Sequence, residues 1–373
     1  MKRVAITGTG LFTPSQSISN DELVACYNAY AEQQNALNAR AIAEGKSEAL
    51  PLSSSEFIVK ASGIKSRYVV DKQGVLDINF MRPRIRARSN DEPSLMVEMG
   101  VAAARDALAR AGRSAADVDF IICAASNLQR PYPAMAVELQ AELGAQGFAF
   151  DMNVACASAA FGIQSAVDAV KNGSAKMALV VNPEICSGHL NWRNRDCHFI
   201  FGDAATAVLI EPLEGARAEV KFEVLGTRLK TQFSNNIRNN FGFLNASESP
   251  QRAWNDVLFV QEGRKVFKEV VPMVSEMLLA HLAELGIAAK DVKRFWLHQA
   301  NLAMNQLIAR RVLGHEPSEA EAPVILDEYA NTSSAGCVIA FHKHHADLVA
   351  GDIGLLSGFG AGYSAGSAVL RRL

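Results

Sequence analysis

Cys156 lies in the stretch DMNVACASAAFG (residues 151–162), among small neighbours, where a strand-like run turns into a helix-like one. At such a turn the unpaired N–H groups and the positive end of the helix dipole favour a thiolate, lowering a free thiol value of about 8.5. Taken alone, the simpler reading is a packed structural cysteine, since free cysteines are often buried. Two other residues change that balance. His298, in RFWLHQANLAMNQLIARR (294–311), stands at the C-terminal edge of an apolar strand, where open α/β sheets gather ligands. Asn331, in YANTSSAG (329–336), stands just before a predicted helix. Taken singly, one is a satisfied strand-end imidazole and the other a helix cap. A thiol, an imidazole and an amide, each at the end of an element, together suit nucleophilic catalysis by the thiol.

The elements that must position them alternate between strand and helix. Apolar runs at Val4–Ile6, Phe120–Ala124, Phe148–Met152, Met177–Val181, Ala207–Ile210, Phe295–Leu297, Ile353–Leu356 and Ala368–Leu370 predict strands. Helical periodicity marks Met96–Ala111, Ala134–Leu143, Ala157–Lys171, Val266–Leu285 and Leu302–Leu313. The alternation predicts a layered α/β fold. An internal repeat sharpens it: NVACASAAFG followed by FGDAATAVLI, near residues 153–210, parallels NTSSAGCVIA followed by FGAGYSAGSAVL, near 331–370. Asn153 and Gly173 pair with Asn331 and Gly351 at one offset. Two similar halves are expected, 1–215 carrying Cys156 and 216–373 carrying His298 and Asn331. The less periodic stretches near 38–55 and 70–93 read as inserted loops or helical excursions.

These residues resemble a known family, the thiolase-fold condensing enzymes of the 3-oxoacyl-[acyl-carrier-protein] synthase III type. The resemblance rests on ITGTGLFTP, SSSEFIVKASGIKSRYV, the DMNVACAS turn, IFGDAATAVL, LHQAN, YANTSSA and GFGAGYSAGSAVL, and spans most of the chain. It implies a five-layered αβαβα fold, a homodimer, and a Cys156–His298–Asn331 triad. It further implies that an acyl-CoA primer acylates Cys156 and then condenses with malonyl-acyl carrier protein, with loss of carbon dioxide. The oxyanion donors would be the backbone N–H groups of Cys156 and Ala361, and no metal or redox cofactor is implied. By the same resemblance Phe57, Tyr132, Arg195, Phe201, Phe359 and Gly360 contact substrate, Tyr132 by reaching into the partner's acyl pocket. The long loops resemble those of variants that accept medium-chain primers such as octanoyl-CoA. Relatives with the same triad that make a quinolone, a ketone or a polyketide-like product are the alternative, as is a silent subunit that only binds carrier protein.

The chain departs from the family pattern at three places. Phe57 and Ala61 stand where many members have a tryptophan and an arginine beside the CoA adenine, and Ala303 replaces an arginine implicated in carrier-protein docking. Arg82, Arg84, Arg86 and Arg88 are either a solvated basic loop or a compensating patch. His342, His344 and His345 lack the further ligands of a metal site, and the glycines at 8–10 lack the rest of a dinucleotide fingerprint. With 49% hydrophobic and 20% charged residues and a net charge of −2, nothing global draws the chain to nucleic acid or an anionic membrane. The short apolar run at the N-terminus suits neither a secretory leader nor a membrane span. Six cysteines without paired spacing point to a cytoplasmic, reduced setting.

Overall fold

The structure, a computed structural model, describes residues 2–373. The first half runs β1 (Val4–Phe12), β2 (Gln16–Ser19), α1 (Asn20–Leu37), α2 (Ala39–Ala43), α3 (Ser55–Ser62), β3 (Ser66–Val69), α4 (Lys72–Val75), α5 (Leu95–Ala111) and β4 (Phe120–Ala124). It continues with α6 (Met135–Leu143), β5 (Phe148–Met152), α7 (Ser158–Asn172), β6 (Ala178–Ile185) and β7 (Asp203–Pro212). The second half runs β8 (Phe222–Ser234), β9 (Ile237–Asn239), β10 (Phe259–Gln261), α8 (Gly263–Glu284) and β11 (Val292–Leu297). It closes with α9 (Leu302–Leu313), α10 (Leu326–Tyr329), α11 (Ala335–Lys343), β12 (Ile353–Gly360) and β13 (Gly362–Arg372).

Nine strands form one hydrogen-bonded order, β11-β12-β13-β8-β1-β7-β6-β4-β5. The two half-sheets meet where β1 pairs with β8 through only Ala5↔Glu223 and Ile6↔Phe222. Three apolar clusters define the layers. One packs α5 and α6 on β4, β6 and β7; one packs α8 and α9 on β11, β12 and β13. The third lies between the half-sheets and is built on α7 and α11. The result is the αβαβα stack expected from the sequence. Because α11 is sandwiched, it reads as near-continuous apolar and small residues, buried from Ala335 through Phe341, whereas α7 keeps an exposed Asp168 near its C-terminal end.

Close backbone approach explains the GTG of β1. A Cβ on Gly8 would stand 2.1 Å from the Ala107 carbonyl oxygen of α5, and one on Gly10 would stand 1.9 Å from that of Ala103. These glycines let a helix lie directly on the strand.

Several elements exceed the sequence expectation. α1 is an 18-residue helix that the periodicity left unmarked, although Ser19 and Glu22 form a capping box at its start. The 38–55 segment is an excursion pinned back onto α1: Asn35 accepts from the Leu50 N–H at 2.7 Å, and Asn28 accepts from the Ser53 N–H at 2.8 Å. In the 70–93 segment Arg84, Arg86 and Arg88 pair with Asp77, Glu92 and Glu98, and Arg82 lies over the Phe80 ring. Three of the four arginines thus have carboxylate partners within the chain, two in the loop itself and one on α5. The thirteen-residue β8 was also missed; its outer part is half-exposed and carries little apolar pattern.

Gly10→Ala forces backbone of α5 away from β1, so the free energy of unfolding should fall by about 1–3 kcal/mol. Denaturant titration reads this directly, and a wild-type midpoint would contradict the close approach.

Candidate active site

Cys156 sits on a 3₁₀ turn, Ala155–Ala157, between β5 and α7. Asn153 shapes the turn by accepting the Ala155 N–H at 3.1 Å, which leaves Ala155 at φ 47°. Ser158 locks it by accepting from the Val154 N–H at 2.8 Å and donating to the Ala155 carbonyl at 2.7 Å. A non-glycine residue at positive φ is strained, and such strain clusters at functional sites.

The same turn recurs at the start of α11. Asn331 accepts the Ser333 N–H at 2.8 Å, and Ser333 stands at φ 50°. Thus the repeat seen in the sequence carries a repeated backbone device, two residues after each asparagine. Since Oδ1 of Asn331 is committed to Ser333, its amide NH2 is the end left for the cavity. The Asn331 backbone is held by an isolated parallel bridge to Phe201, just before β7: its N–H donates to the Ile200 carbonyl at 2.9 Å, and its carbonyl accepts from the Gly202 N–H at 3.1 Å.

His298 continues β11, its N–H donating to the Ser357 carbonyl of β12 at 2.8 Å. Its ring is edge-on to Phe359, with centroids 5.3 Å apart, and its buried Nδ1 forms no hydrogen bond among the described residues. The next residues of HQAN hold it in place. Gln299 accepts from the Ile325 N–H at 3.1 Å and donates to the Leu297 carbonyl at 2.9 Å. Asn301 caps α9 through the Met304 N–H at 3.2 Å and ties it to α3 through the Ala61 carbonyl at 2.7 Å.

Cys156, His298 and Asn331 all line one cavity of about 520 Å³. Phe57, Phe201, Phe359 and Gly360 line it too, as do Ala61 and Ala303. Gly360 makes the tightest contact: a Cβ there would stand 2.7 Å from the Cβ of Cys156. Ala361 lies one residue on, at the turn between β12 and β13. Arg195 stands beside the cavity with its guanidinium 3.8 Å above the Phe57 ring centre. Tyr132 is not brought to it; it lies on the surface, 82% exposed. Sequence reasoning missed Ile237 and Phe259, which belong to the β9–β10 excursion, and Val266, Phe267 and Val270 on the first turns of α8. Their apolar types were visible, but nothing in their spacing said that they face the thiol. It also missed Ser333, whose hydroxyl donates to the Cys156 sulfur at 3.4 Å.

The electrostatics correct one expectation. A depressed thiol value was expected at the helix start, but burial pushes Cys156 up to about 12, against the opposing pull of the Ser333 hydroxyl. Desolvation disfavours the charged form and is the largest influence on this thiol. Burial likewise pushes His298 down to about 4, so its imidazole is neutral at pH 7. The resting site therefore holds a neutral thiol, a neutral ring and a neutral amide.

Comparison with known proteins follows the same lines. Residues 150–232 match the family model for 3-oxoacyl-[acyl-carrier-protein (ACP)] synthase III, and 282–372 match the model for its C-terminal part. The chain is 61% identical to a beta-ketodecanoyl-[acyl-carrier-protein] synthase of Pseudomonas aeruginosa, over 93% of this chain and 99% of that one. It is 31% identical to a beta-ketoacyl-[acyl-carrier-protein] synthase III of Brucella anthropi, over 90% and 97% of the two chains. The crystal structure of 3-oxoacyl-[acyl-carrier-protein] synthase III from Aquifex aeolicus superposes with a TM-score of 0.76 at 26% identity, covering 99% of each chain. Fold and site define an acyl-condensing class of α/β protein. Within it, the chain belongs to the 3-oxoacyl-[acyl-carrier-protein] synthase III family.

Gly360→Ala drives a methyl group into the Cys156 side chain. Alkylation of Cys156 by iodoacetamide should slow at least tenfold, as read by peptide mass spectrometry; an unchanged rate would contradict the packing described.

Proposed function

We propose that this protein condenses a medium-chain acyl-CoA, octanoyl-CoA, with malonyl-acyl carrier protein, and so starts fatty acid synthesis with a 3-oxodecanoyl product. The observation that carries the reading is the convergence of Cys156, His298 and Asn331 on one cavity lined by aromatic and aliphatic side chains. Primer length follows from the relative's name and simple stoichiometry. A β-ketodecanoyl product has ten carbons, and decarboxylated malonyl supplies two, leaving an eight-carbon primer.

In the first half-reaction the Cys156 sulfur attacks the thioester carbonyl of the primer. The carbon–sulfur bond to Cys156 forms, that to CoA breaks, and the thiol proton passes to the departing CoA sulfur. The backbone N–H groups of Cys156 and Ala361 are proposed to receive the transient oxyanion. In the second, malonyl loses carbon dioxide and its electron pair moves into an enolate. The neutral imidazole of His298 and the Asn331 NH2 donate to the enolate oxygen, which a dry site favours strongly. The carbanion then attacks the acyl-Cys156 carbonyl, forming the carbon–carbon bond and releasing sulfur, which takes up a proton. These steps use only side chains, backbone and the two thioesters; no metal or redox cofactor enters them.

The same proposal covers partners and place. A homodimer through the free edge of β5 is supported by exposed Phe148 and Phe150 on that strand and by exposed Tyr132 nearby in sequence. Acyl carrier protein is the partner supported by the family; with Ala303 uncharged, Arg264 is the one lysine or arginine lining the cavity among the described residues. A cytoplasmic setting is supported by six free cysteines. No helix among the described residues is long and apolar enough to cross a membrane.

Steady-state competition among acetyl- through dodecanoyl-CoA should give octanoyl-CoA a kcat/KM at least tenfold above acetyl-CoA; preference for acetyl would reject the medium-chain reading. His298→Ala and Asn331→Ala should leave acylation within about threefold and slow malonyl decarboxylation by about 10²–10³. Because His298 is neutral above about pH 4, decarboxylation by the acylated enzyme should be flat from pH 6 to 8. An acid limb centred near 6.5 would mean that the ring titrates normally. Sedimentation should find twice the chain mass, and Phe150→Asp should halve it; a wild-type monomer would rule out the dimer.

A further inference from the structure

Glu184, on β6, is fully buried and has no lysine or arginine partner among the described residues. Five donors face its carboxylate instead. The Ser126 N–H donates at 3.0 Å and the Ser126 hydroxyl at 2.6 Å. The Ser334 N–H donates at 3.1 Å, and the Ser334 hydroxyl donates to the same oxygen. The Cys186 thiol adds a long contact at 3.9 Å. Burial pushes the Glu184 carboxyl above the ordinary carboxylate range, against the opposing pull of the two serines. Ser334 immediately precedes α11, so the carboxylate ties β6 to the residue at the start of that helix.

Position gives this knot its meaning. Ser334 stands one residue after Ser333, whose hydroxyl meets the Cys156 sulfur, and three after Asn331. In the internal repeat Ser334 is the counterpart of Cys156, each three residues past its turn asparagine. One half thus begins its middle helix with the nucleophile, while the other begins it with a serine anchored to a carboxylate of the first half.

We propose that Glu184 is a positioning residue for condensation: by holding Ser334 from the first half it fixes the Asn331–Ser333 turn of the second half against Cys156. The inference rests on the condensation reading above.

Two variants test the tether from its two ends. Glu184→Gln keeps the shape but replaces one accepting oxygen by an amide NH2 that cannot accept, and Ser334→Ala removes the hydroxyl half of the tether. In the full-length protein each should cut decarboxylative condensation at least tenfold, with acylation of Cys156 by octanoyl-CoA within threefold. Wild-type condensation in either variant, or equal loss of both half-reactions, would overturn the proposal. If Glu184→Gln does not unfold cooperatively, Ser334→Ala decides: wild-type condensation there overturns it. The unaltered protein is assayed alongside: its failure to condense would reject the condensation reading, whereas unaltered rates in the variants reject only the role of Glu184.

Discussion

The site depends on how closely the β12–β13 hairpin approaches the turn that carries Cys156. With Gly360 in contact with the cysteine and Gly358 against its carbonyl and Ala157, the second half-sheet lies directly on the nucleophile of the first. That contact helps to bury the thiol, and burial is what pushes its proton affinity up. It also places Phe359 against His298, which keeps the imidazole neutral. A reaction whose charged intermediates need neutral donors in a dry space is served by this closeness.

The two halves contribute unequally to a symmetric frame. Both middle helices, α7 and α11, begin after an asparagine that accepts the N–H two residues on, and both turns hold a residue at positive φ. Repetition brings the two turns to one cavity. Divergence assigns them work: the first offers sulfur, the second an amide and a hydroxyl, and Glu184 crosses between halves to hold the second in place.

Much of this was legible in the residues. The buried strand β4 carries a uniform apolar run, and both it and the more exposed edge strand β5 were bounded correctly; the HQAN and NTS motifs fall at element ends because their polar side chains cap and tie those ends. Other features left no such trace. α1 is polar on most of its surface, so its periodicity is weak and only the Ser19–Glu22 cap announces it. β8 is half-exposed along its outer length, which erases the apolar run of a central strand. The apolar wall from the β9–β10 excursion and α8 joins residues far from the thiol in sequence, and only tertiary packing makes them neighbours. The protonation of Cys156 was misjudged for the same reason: a helix start is visible in a sequence, but the depth of burial around it is not.

The central claim is that Cys156 is the residue that carries the acyl group. Incubating the protein with octanoyl-CoA in the absence of malonyl thioester, then digesting it at low pH and sequencing the acylated peptide by mass spectrometry, tests that claim most directly. The account predicts one octanoyl group, on Cys156 and absent from Cys156→Ala. An acyl group on Cys186, Cys337 or a serine, or none at all, would contradict it.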